Sequence, residues 1–484
     1  MSNFELLHQN IQKGIIKKLG WKSLTSVQEK TIPEIIEGKN LIVLAPTAGG
    51  KTEAAFLPIL SEVAKKELSP VSILYVSPIK DNIFQGILPY SIVSILYVSP
   101  IKALLNNQEE RLKELSSFIF GDVFKWHGDV EKSEKNKFLK NKAQILMITP
   151  ESLEVILMSK SSDKNELFSD LHYIVIDEIH SFAESERGIH LMALLERIQQ
   201  YSSYDIQRIG LSATVGNPEE LLNWLQGSSK REKLVIYPSD EKKKKKIEIR
   251  FCKDEEERTQ EILKRIVSRK ALVFSNNRKD AELLKLRMEK ENIDSYIHHS
   301  SINKFFREKT EESFKIGNSN TIIATNTLEL GIDIGALDIV LHLEMPSSVS
   351  SFLQKLGRTG RREGKISHFV FLPSNEENLV MSIAILNLAM KKWVENVFVT
   401  DKAYDILLHQ TLTICLSSYG ADIDDIFNTL SKVYSFSGIS NEEYKYLIEY
   451  MVKESILHQD KNRIFLGDKG QSIFGKMNYI DLYS

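Results

Sequence analysis

At 484 residues the chain is longer than a single hydrophobic core usually supports, and its length predicts about three domains. The 63 Lys and Arg against 65 Asp and Glu give a net charge of -2, which excludes a large basic coat; any nucleic acid must bind a local groove. Cys252 and Cys415 lie far apart, which argues against a disulfide framework or a zinc site and fits a reducing cytoplasm. No stretch resembles a signal peptide or a membrane span, so we expect a soluble, cytoplasmic protein with no membrane partner.

Short apolar runs alternate with amphipathic helical stretches from Asn40 to Leu225, and a second series of the same kind begins at Ala271. The runs are rich in Ile, Val and Leu without polar alternation, as expected of parallel strands buried on both faces. The sequence therefore predicts an α/β fold with two tandem parallel-sheet domains, at residues 1–228 and 257–375. Like-charge runs between them, Lys242–Lys246 and Asp254–Glu257, predict a charged linker at 229–256 rather than a nucleic-acid-binding arm.

The chain becomes mostly helical after about Ser374. Ser440 and Glu443 form a capping box, and a polar-turned hairpin follows at 457–470. Residues 376–484 are therefore predicted to form a winged-helix domain. Its recognition-helix candidate is rich in glutamate, which favours a bracing role over reading of a nucleic-acid sequence.

A small-residue loop, APTAGGKT, lies between an apolar run and a helical stretch. Backbone N–H groups of such a loop bind a polyphosphate, while Lys51 reaches the β and γ phosphates and Thr52 binds Mg²⁺. The spacing matches a Walker A loop, although two alanines depart from the usual glycines; the alternative is a βα turn that binds no nucleotide. The predicted ATP-binding residues here are Ala45, Pro46, Thr47, Ala48, Gly49, Gly50, Lys51 and Thr52.

A pair of carboxylates, Asp177 and Glu178, directly follows the apolar run YIVI. Asp177 would hold Mg²⁺ through water, and Glu178 would orient and deprotonate the attacking water. Buried carboxylates at a strand end are costly without a cation, which favours this interpretation over a structural one. ATP and Mg²⁺ are therefore the expected cofactors, with Thr52 and Asp177 as the metal-binding residues.

The order of these motifs resembles that of superfamily 2 DEAD/DEAH-type helicases from about Leu24 to Arg362. TPESL, SAT, ALVFSNNR, TIIATNTLELGIDIG and QKLGRTGRR occur in that family's order, and DEIHSFAESERGIH is similar to the version in large-helicase-related (Lhr) motors. The resemblance implies that both sheets are RecA-like and that ATP lies between them.

The resemblance also implies roles for further residues. Gln28 would read adenine, Gly331 and Asp333 would face the nucleotide, and Arg358 and Arg361 would act with Lys51 and the two carboxylates in catalysis. His180, Ser212, Thr214 and Gln354 would couple hydrolysis to movement. The alternatives are surface salt bridges for the arginines and strand-end caps for Ser212 and Thr214.

A nucleic-acid track is implied on the opposite face of both domains, where strand-end groups hold phosphates without reading bases. A Ser or Thr at a strand end could instead be an ordinary helix cap. The candidates are Ser99, Pro100, Lys102, Thr149, Asn276 and Thr325.

The stretch VSILYVSPIK occurs twice, at Val71–Lys80 and Val93–Lys102. One position in a sheet cannot take both copies. The distance from the Walker helix favours the first copy, whereas only the second runs on into a helical sequence. We expect the second copy in the sheet and Leu68–Ile92 looped out or at a sheet edge; a sequencing or cloning artefact is the alternative.

The function predicted from the resemblance is ATP-dependent 3′ to 5′ movement on single-stranded DNA and unwinding of DNA or RNA–DNA duplexes, in repair or defence. The expected partners are single-stranded or tailed duplex DNA, an RNA–DNA hybrid, and a protein that supplies the further domain usual in Lhr-type chains. Two alternatives stay open: an ATPase that remodels protein–nucleic acid complexes without parting strands, and a catalytically silent nucleic-acid-binding scaffold.

Overall fold

The computed structural model describes residues 2–46, 49–67, 93–119, 121–140, 143–159, 163–237, 244–299, 314, 320–325, 335, 337–360 and 366–474. These residues form two parallel sheets, each with its helices, and a small antiparallel sheet within a helical C-terminal region. The predicted α/β class with two tandem parallel-sheet domains is confirmed. No helix in the described ranges is both long enough and apolar enough to cross a bilayer.

The first sheet has seven parallel strands in the order β3-β4-β2-β5-β6-β1-β7. Alternate residues of its central strands fall into two separate cores: Ile42 and Leu44 lie in one, Leu41 and Val43 in the other. Both faces are therefore covered, as the unbroken apolar runs predict. The strands are β1 (Asn40–Leu44), β2 (Ile95–Val98), β3 (Val123–Trp126), β4 (Ile145–Ile148), β5 (Tyr173–Ile176), β6 (Gln207–Ser212) and β7 (Lys233–Ile236).

Several helices of the first domain begin at local capping signals. Thr25 and Gln28 form a capping box at Ser26–Ile36, and Pro150 occupies the first turn after Thr149. The α-helices are Gln9–Gly14, Ser26–Ile36, Lys51–Glu67, Lys102–Ser116, Lys132–Lys140, Pro150–Met158, Lys164–Phe168, His180–Ala183, Glu186–Gln199 and Pro218–Gln226, with shorter turns at Asn3–Leu6, Ile15–Leu19 and Ser117–Ile119.

The second copy of the repeated stretch supplies β2. Ile95 pairs with Ile145 on one side and with Tyr173 on the other, so the strand lies between β4 and β5. The chain then enters the helix Lys102–Ser116, the continuation that only the second copy possesses. The first copy, with the rest of Leu68–Ile92, lies outside the described residues.

The second sheet has six parallel strands in the order β10-β11-β9-β12-β13-β8. The strands are β8 (Lys245–Ile249), β9 (Ala271–Phe274), β10 (Ser295–His298), β11 (Thr321–Ala324), β12 (Ile339–Leu343) and β13 (Ser367–Leu372), and the helices are Glu255–Ile266, Arg278–Lys290, Val349–Leu356 and Glu376–Met390.

Two predicted boundaries are wrong. The expected linker 229–256 contains β7 and β8, which pair with β1 and β13 at the edges of the two sheets. Both are lysine-bearing, largely exposed edge strands, so their sequences look like solvated connections. The helix Glu376–Met390, assigned to the C-terminal domain, instead packs through Ile385 into the core of the second sheet.

The C-terminal region contains the helices Tyr404–Ser418, Ile423–Leu430, Asn441–Lys453 and Asp468–Phe474, with a short turn at Tyr434–Phe436. Its strands are β14 (Ala421–Asp422), β15 (Leu457–Asp460) and β16 (Arg463–Leu466), in the antiparallel order β14-β16-β15. The predicted capping box at Ser440 and the β15–β16 hairpin are both present. The assignment of this region as a winged helix stays a prediction.

The C-terminal region shares a hydrophobic core with one face of the first sheet. The bracing role of this region stays a prediction. A network of buried polar side chains spans the interface between the C-terminal region and the first domain. Glu154 accepts hydrogen bonds from Arg197 at 2.6 Å and Gln410 at 2.8 Å, and His190 Nε2 lies 2.8 Å from the same carboxylate. Gln410 belongs to the C-terminal region, and the other three residues belong to the first domain.

Candidate nucleotide-binding and coupling site

The two glycines before Lys51, at the end of the loop that follows β1, occupy positions that a side chain would not fit. Gly50 has a φ of +78°, a conformation that disfavours any side chain. A Cβ at Gly49 would lie 2.9 Å from the carbonyl oxygen of Pro46. Gln28 is buried and lies beside the loop. Its Nε2 is so near Gly50 that a Cβ at Gly50 would lie 2.9 Å from it. The structure therefore brings the predicted adenine reader to the loop; Thr47 and Ala48 lie outside the described residues.

Lys51 provides the test of whether a nucleotide fits this loop. Its Nζ is buried, has no hydrogen-bond partner among the described residues, and lies 4.0 Å from Glu178 Oε1. A buried ammonium group that lacks hydrogen bonds is costly, and phosphate oxygens would supply them. Thr52, also buried, follows at the first turn of the helix Lys51–Glu67. The residues present therefore fit a polyphosphate with its Mg²⁺.

The two predicted carboxylates lie at the end of β5. Asp177 N donates to the carbonyl oxygen of Val98 at 2.9 Å, and Glu178 N donates to Asp177 Oδ1 at 3.0 Å. Glu178 has a φ of 47°, a strained conformation for a residue with a side chain and one that is typical of functional sites. Burial, and next the Glu178 charge, raise the pKa of Asp177. A cation beside Asp177 would offset this cost.

Tyr97 is a member of this site that the sequence analysis missed. Its hydroxyl donates to Asp177 Oδ2 at 2.6 Å, and its ring is completely buried in β2. Burial, followed by the Asp177 charge, raises the pKa of Tyr97 well above its ordinary value, so the hydroxyl keeps its proton and acts as a donor. A tyrosine in an otherwise apolar strand was the available signal, since buried tyrosines usually bond a polar partner.

His180 connects the carboxylates to the second domain. Its Nδ1 lies 3.6 Å from Glu178 Oε2, 3.2 Å from Ser212 Oγ, and accepts a hydrogen bond from Ala213 N at 3.3 Å. Its Nε2 lies 2.9 Å from the side-chain amide of Gln354, on the helix Val349–Leu356 of the second domain. Three of the predicted coupling residues thus meet at one ring; Thr214 is half-buried in the loop that follows β6.

Two comparisons bear on the family. Residues 25–221 match the DEAD/DEAH box helicase model, and residues 254–363 match the helicase conserved C-terminal domain. An ATP-dependent helicase Lhr-Core of Methanocaldococcus jannaschii is 30% identical over 480 residues, covering 93% of this chain and 53% of that protein. The chain belongs to the DEAD/DEAH box helicases. The resemblance inferred from the motifs, including its Lhr character, is confirmed.

Further relatives agree with this placement. The Lhr helicase/uracil glycosylase of Escherichia coli is 29% identical over 462 residues, covering 81% of this helicase chain and 29% of that protein. The structure of Mycobacterium smegmatis helicase Lhr bound to ssDNA and AMP-PNP matches with a TM-score of 0.83 at 25% identity, covering 98% of this chain and 62% of that one. This helicase chain spans about half the length of its Lhr-Core relative.

Several predicted residues of the second helicase domain are only partly tested. Arg358 is buried just beyond the helix Val349–Leu356, and its N–H donates to the carbonyl oxygen of Lys355 at 3.1 Å. Gly331, Asp333 and Arg361 lie outside the described residues. The finger role of both arginines stays a prediction.

The predicted nucleic-acid residues lie at the carboxyl ends of their strands. Ser99 N donates to the carbonyl oxygen of Ile148, so Ser99 and Thr149 are neighbours, and both are buried. The carbonyl oxygen of Pro100 accepts a hydrogen bond from Arg187. Lys102, half-exposed, pairs with Asp129 at 2.8 Å.

On the second helicase domain, Asn276 Nδ2 donates to the carbonyl oxygen of Met345 at 3.0 Å. Thr325 N donates to the carbonyl oxygen of His298 at 3.3 Å. These contacts order the ends of β9 and β11 without revealing a ligand, so the nucleic-acid role of all six residues stays a prediction.

Proposed function

We propose that the chain hydrolyses ATP with Mg²⁺ and uses the energy to move along single-stranded DNA. The observation that carries the proposal is the contact of His180 with Gln354. It joins the carboxylate end of β5, where hydrolysis would occur, to a helix of the other domain. A rearrangement at the nucleotide can therefore change the relative position of the two domains.

The chain's own residues have distinct roles in this proposal. Lys51 binds the β and γ phosphates, and Thr52 and Asp177 hold the metal ion. Bound Mg²⁺ neutralises charge that develops on the phosphate oxygens. Glu178 orients the attacking water and accepts its proton, and Tyr97 fixes the orientation of the Asp177 carboxylate.

Single-stranded DNA is the first substrate to test, because the Lhr structure that matches most of the chain is bound to ssDNA. We further propose movement from 3′ to 5′ and separation of DNA or RNA–DNA duplexes. The second candidate is remodelling of protein–nucleic acid complexes without strand separation. A role in repair or defence, a location in the cytoplasm and a protein partner stay predictions.

The test is steady-state ATP hydrolysis with and without single-stranded DNA. We expect stimulation in the parent chain and a loss of about 10²-fold or more in Lys51→Ala and Glu178→Gln, the scale of a lost catalytic group. Lys65→Ala and Glu62→Gln are matched controls, since this pair lies on the partly exposed side of the Walker helix. A parent rate that no nucleic acid raises would contradict the motor, and no hydrolysis at all would leave the silent scaffold.

Displacement of a strand from 3′-tailed and 5′-tailed duplexes separates the two candidate functions. ATP-dependent displacement from the 3′-tailed duplex alone would support the helicase and its direction. Stimulated ATPase without displacement from either duplex would favour the remodelling ATPase.

A further inference from the structure

A short connecting segment, Val394–Phe398, joins the last helix of the second domain to the C-terminal region. Its backbone bonds to the loop that follows SAT in the first domain. Gly216 N donates to the carbonyl oxygen of Glu395 at 2.9 Å. The side chain of Asn217 forms two hydrogen bonds of 2.8 Å with the N–H and carbonyl groups of Val397. These hydrogen bonds attach the segment to the loop that follows Ser212.

The side chain of Glu395 bonds to the other domain. Its Oε1 accepts a hydrogen bond from Val349 N at 2.7 Å, and its Oε2 accepts one from Ser350 N at 3.0 Å. A carboxylate at this position caps the helix Val349–Leu356 and interacts favourably with the positive end of the helix. This is the helix that carries Gln354 to His180.

Close packing makes the attachment on the first domain specific. A Cβ at Gly216 would lie 2.3 Å from Asn396 Oδ1 and 2.6 Å from the carbonyl oxygen of Val394. The second of these atoms is backbone, so a side chain could enter only if the segment moved. The segment also contacts the residue that follows the helix His180–Ala183, since Phe398 N donates a hydrogen bond to Glu184 Oε1 at 3.0 Å.

One residue therefore bonds to both domains: its carbonyl oxygen to the first and its carboxylate to the second. We propose that Glu395 is a positioning residue that transmits the relative orientation of the two domains to the loop after Ser212, by holding the helix of Gln354 in register with His180. This inference rests on the proposed function, because it concerns the coupling of ATP hydrolysis to nucleic acid.

The test compares Glu395→Gln with Glu443→Gln in the full chain. Glu443 is a matched control, because its carboxylate also accepts a backbone N–H at a helix start, from Ser440 at 2.7 Å, but in the C-terminal region. We expect Glu395→Gln to lower the DNA-stimulated kcat about tenfold with an unchanged KM for ATP, the scale of a weakened charged hydrogen bond. Glu443→Gln should stay within about twofold of the parent chain.

A double-mutant cycle distinguishes positioning from general destabilisation. If Glu395 acts through the helix of Gln354, then Glu395→Gln should change the rate less than about twofold in a His180→Ala background. Multiplicative losses, equal losses in the two glutamate variants, or an unchanged stimulated rate would each overturn the inference. If Glu395→Gln fails to fold, Asn217→Ala replaces it in the test. This variant removes the side-chain hydrogen bonds that attach the segment to the first domain, and the same changes in rate are expected.

The parent chain separates this inference from the proposed function. A parent ATPase that DNA does not stimulate contradicts the motor itself, and the inference falls with it. A stimulated parent beside an unaffected Glu395→Gln variant overturns the inference alone.

Discussion

Glu154→Gln should destabilise the attachment of the C-terminal region to the first domain. The substitution keeps the shape of the side chain but removes the charge that faces Arg197, and it replaces an acceptor by a donor opposite Gln410 and His190. All four side chains are buried. Removing one partner of a buried ion pair costs about 3–5 kcal/mol, because the other charge is left uncompensated. We therefore expect the free energy of unfolding to fall by about 3 kcal/mol or more.

Urea unfolding at neutral pH measures this change. The control is Glu62→Gln, which breaks a partly exposed ion pair with Lys65 and should cost less than about 1 kcal/mol. A loss for Glu154→Gln no larger than that of the control would refute the reasoning, since the buried network would then contribute nothing beyond its shape.

The effect of Glu154 should also depend on pH in a defined direction. Burial alone would raise the pKa of Glu154, but the Arg197 charge and the His190 hydrogen bond outweigh it and hold the pKa well below its ordinary value. A carboxyl whose pKa is depressed in the native state stabilises the fold at pH values above its pKa in the unfolded chain, about 4.3. That contribution is lost as the pH falls below this value. The gap between parent and Glu154→Gln should therefore be constant near neutrality and shrink below about pH 4.3.

Two further substitutions and one deletion test the site and the repeat. His180→Ala should lower the DNA-stimulated ATPase about tenfold, because the contact with Gln354 is lost; an unchanged stimulated rate would refute this. Tyr97→Phe keeps the ring but removes the hydrogen bond to Asp177, so titration with a fluorescent ATP analogue and Mg²⁺ should show roughly tenfold weaker binding; equal affinities would argue against it. Deletion of Val71–Ile92 should leave ATPase within about twofold of the parent, since it restores a short helix–strand connection; loss of folding would show that the first copy is needed.

The central strands and the nucleotide site could be predicted because their signals are local. Each central strand is a short apolar run buried on both faces, and the spacing from strand to motif places Lys51, Asp177 and Glu178 at the same edge of the sheet. Such patterns need no knowledge of distant partners.

The errors arise where the local pattern does not identify the partner. β7 and β8 are lysine-bearing edge strands, whose exposure makes them look like a linker. The helix Glu376–Met390 is apolar on nearly every side, so its periodicity indicates no face and does not show which core it joins. The roles of Tyr97 and Glu395 depend on contacts between segments far apart in sequence, which periodicity alone cannot reveal.

The repeated stretch shows how the segment after a strand can select the place of that strand in a sheet. Tyr75 and Tyr97 occupy the same position in the two copies, so the bond to Asp177 cannot distinguish between them. The contacts beyond the strand can. The helix after the second copy places Leu104 in the core of the second domain and pairs Arg111 with Glu53, two residues after the Walker lysine. The first copy runs instead into DNIFQGILP, whose Gly and Pro disfavour a helix of that length. The second copy therefore occupies the sheet because it alone continues into the helix that contacts both the Walker helix and the second domain.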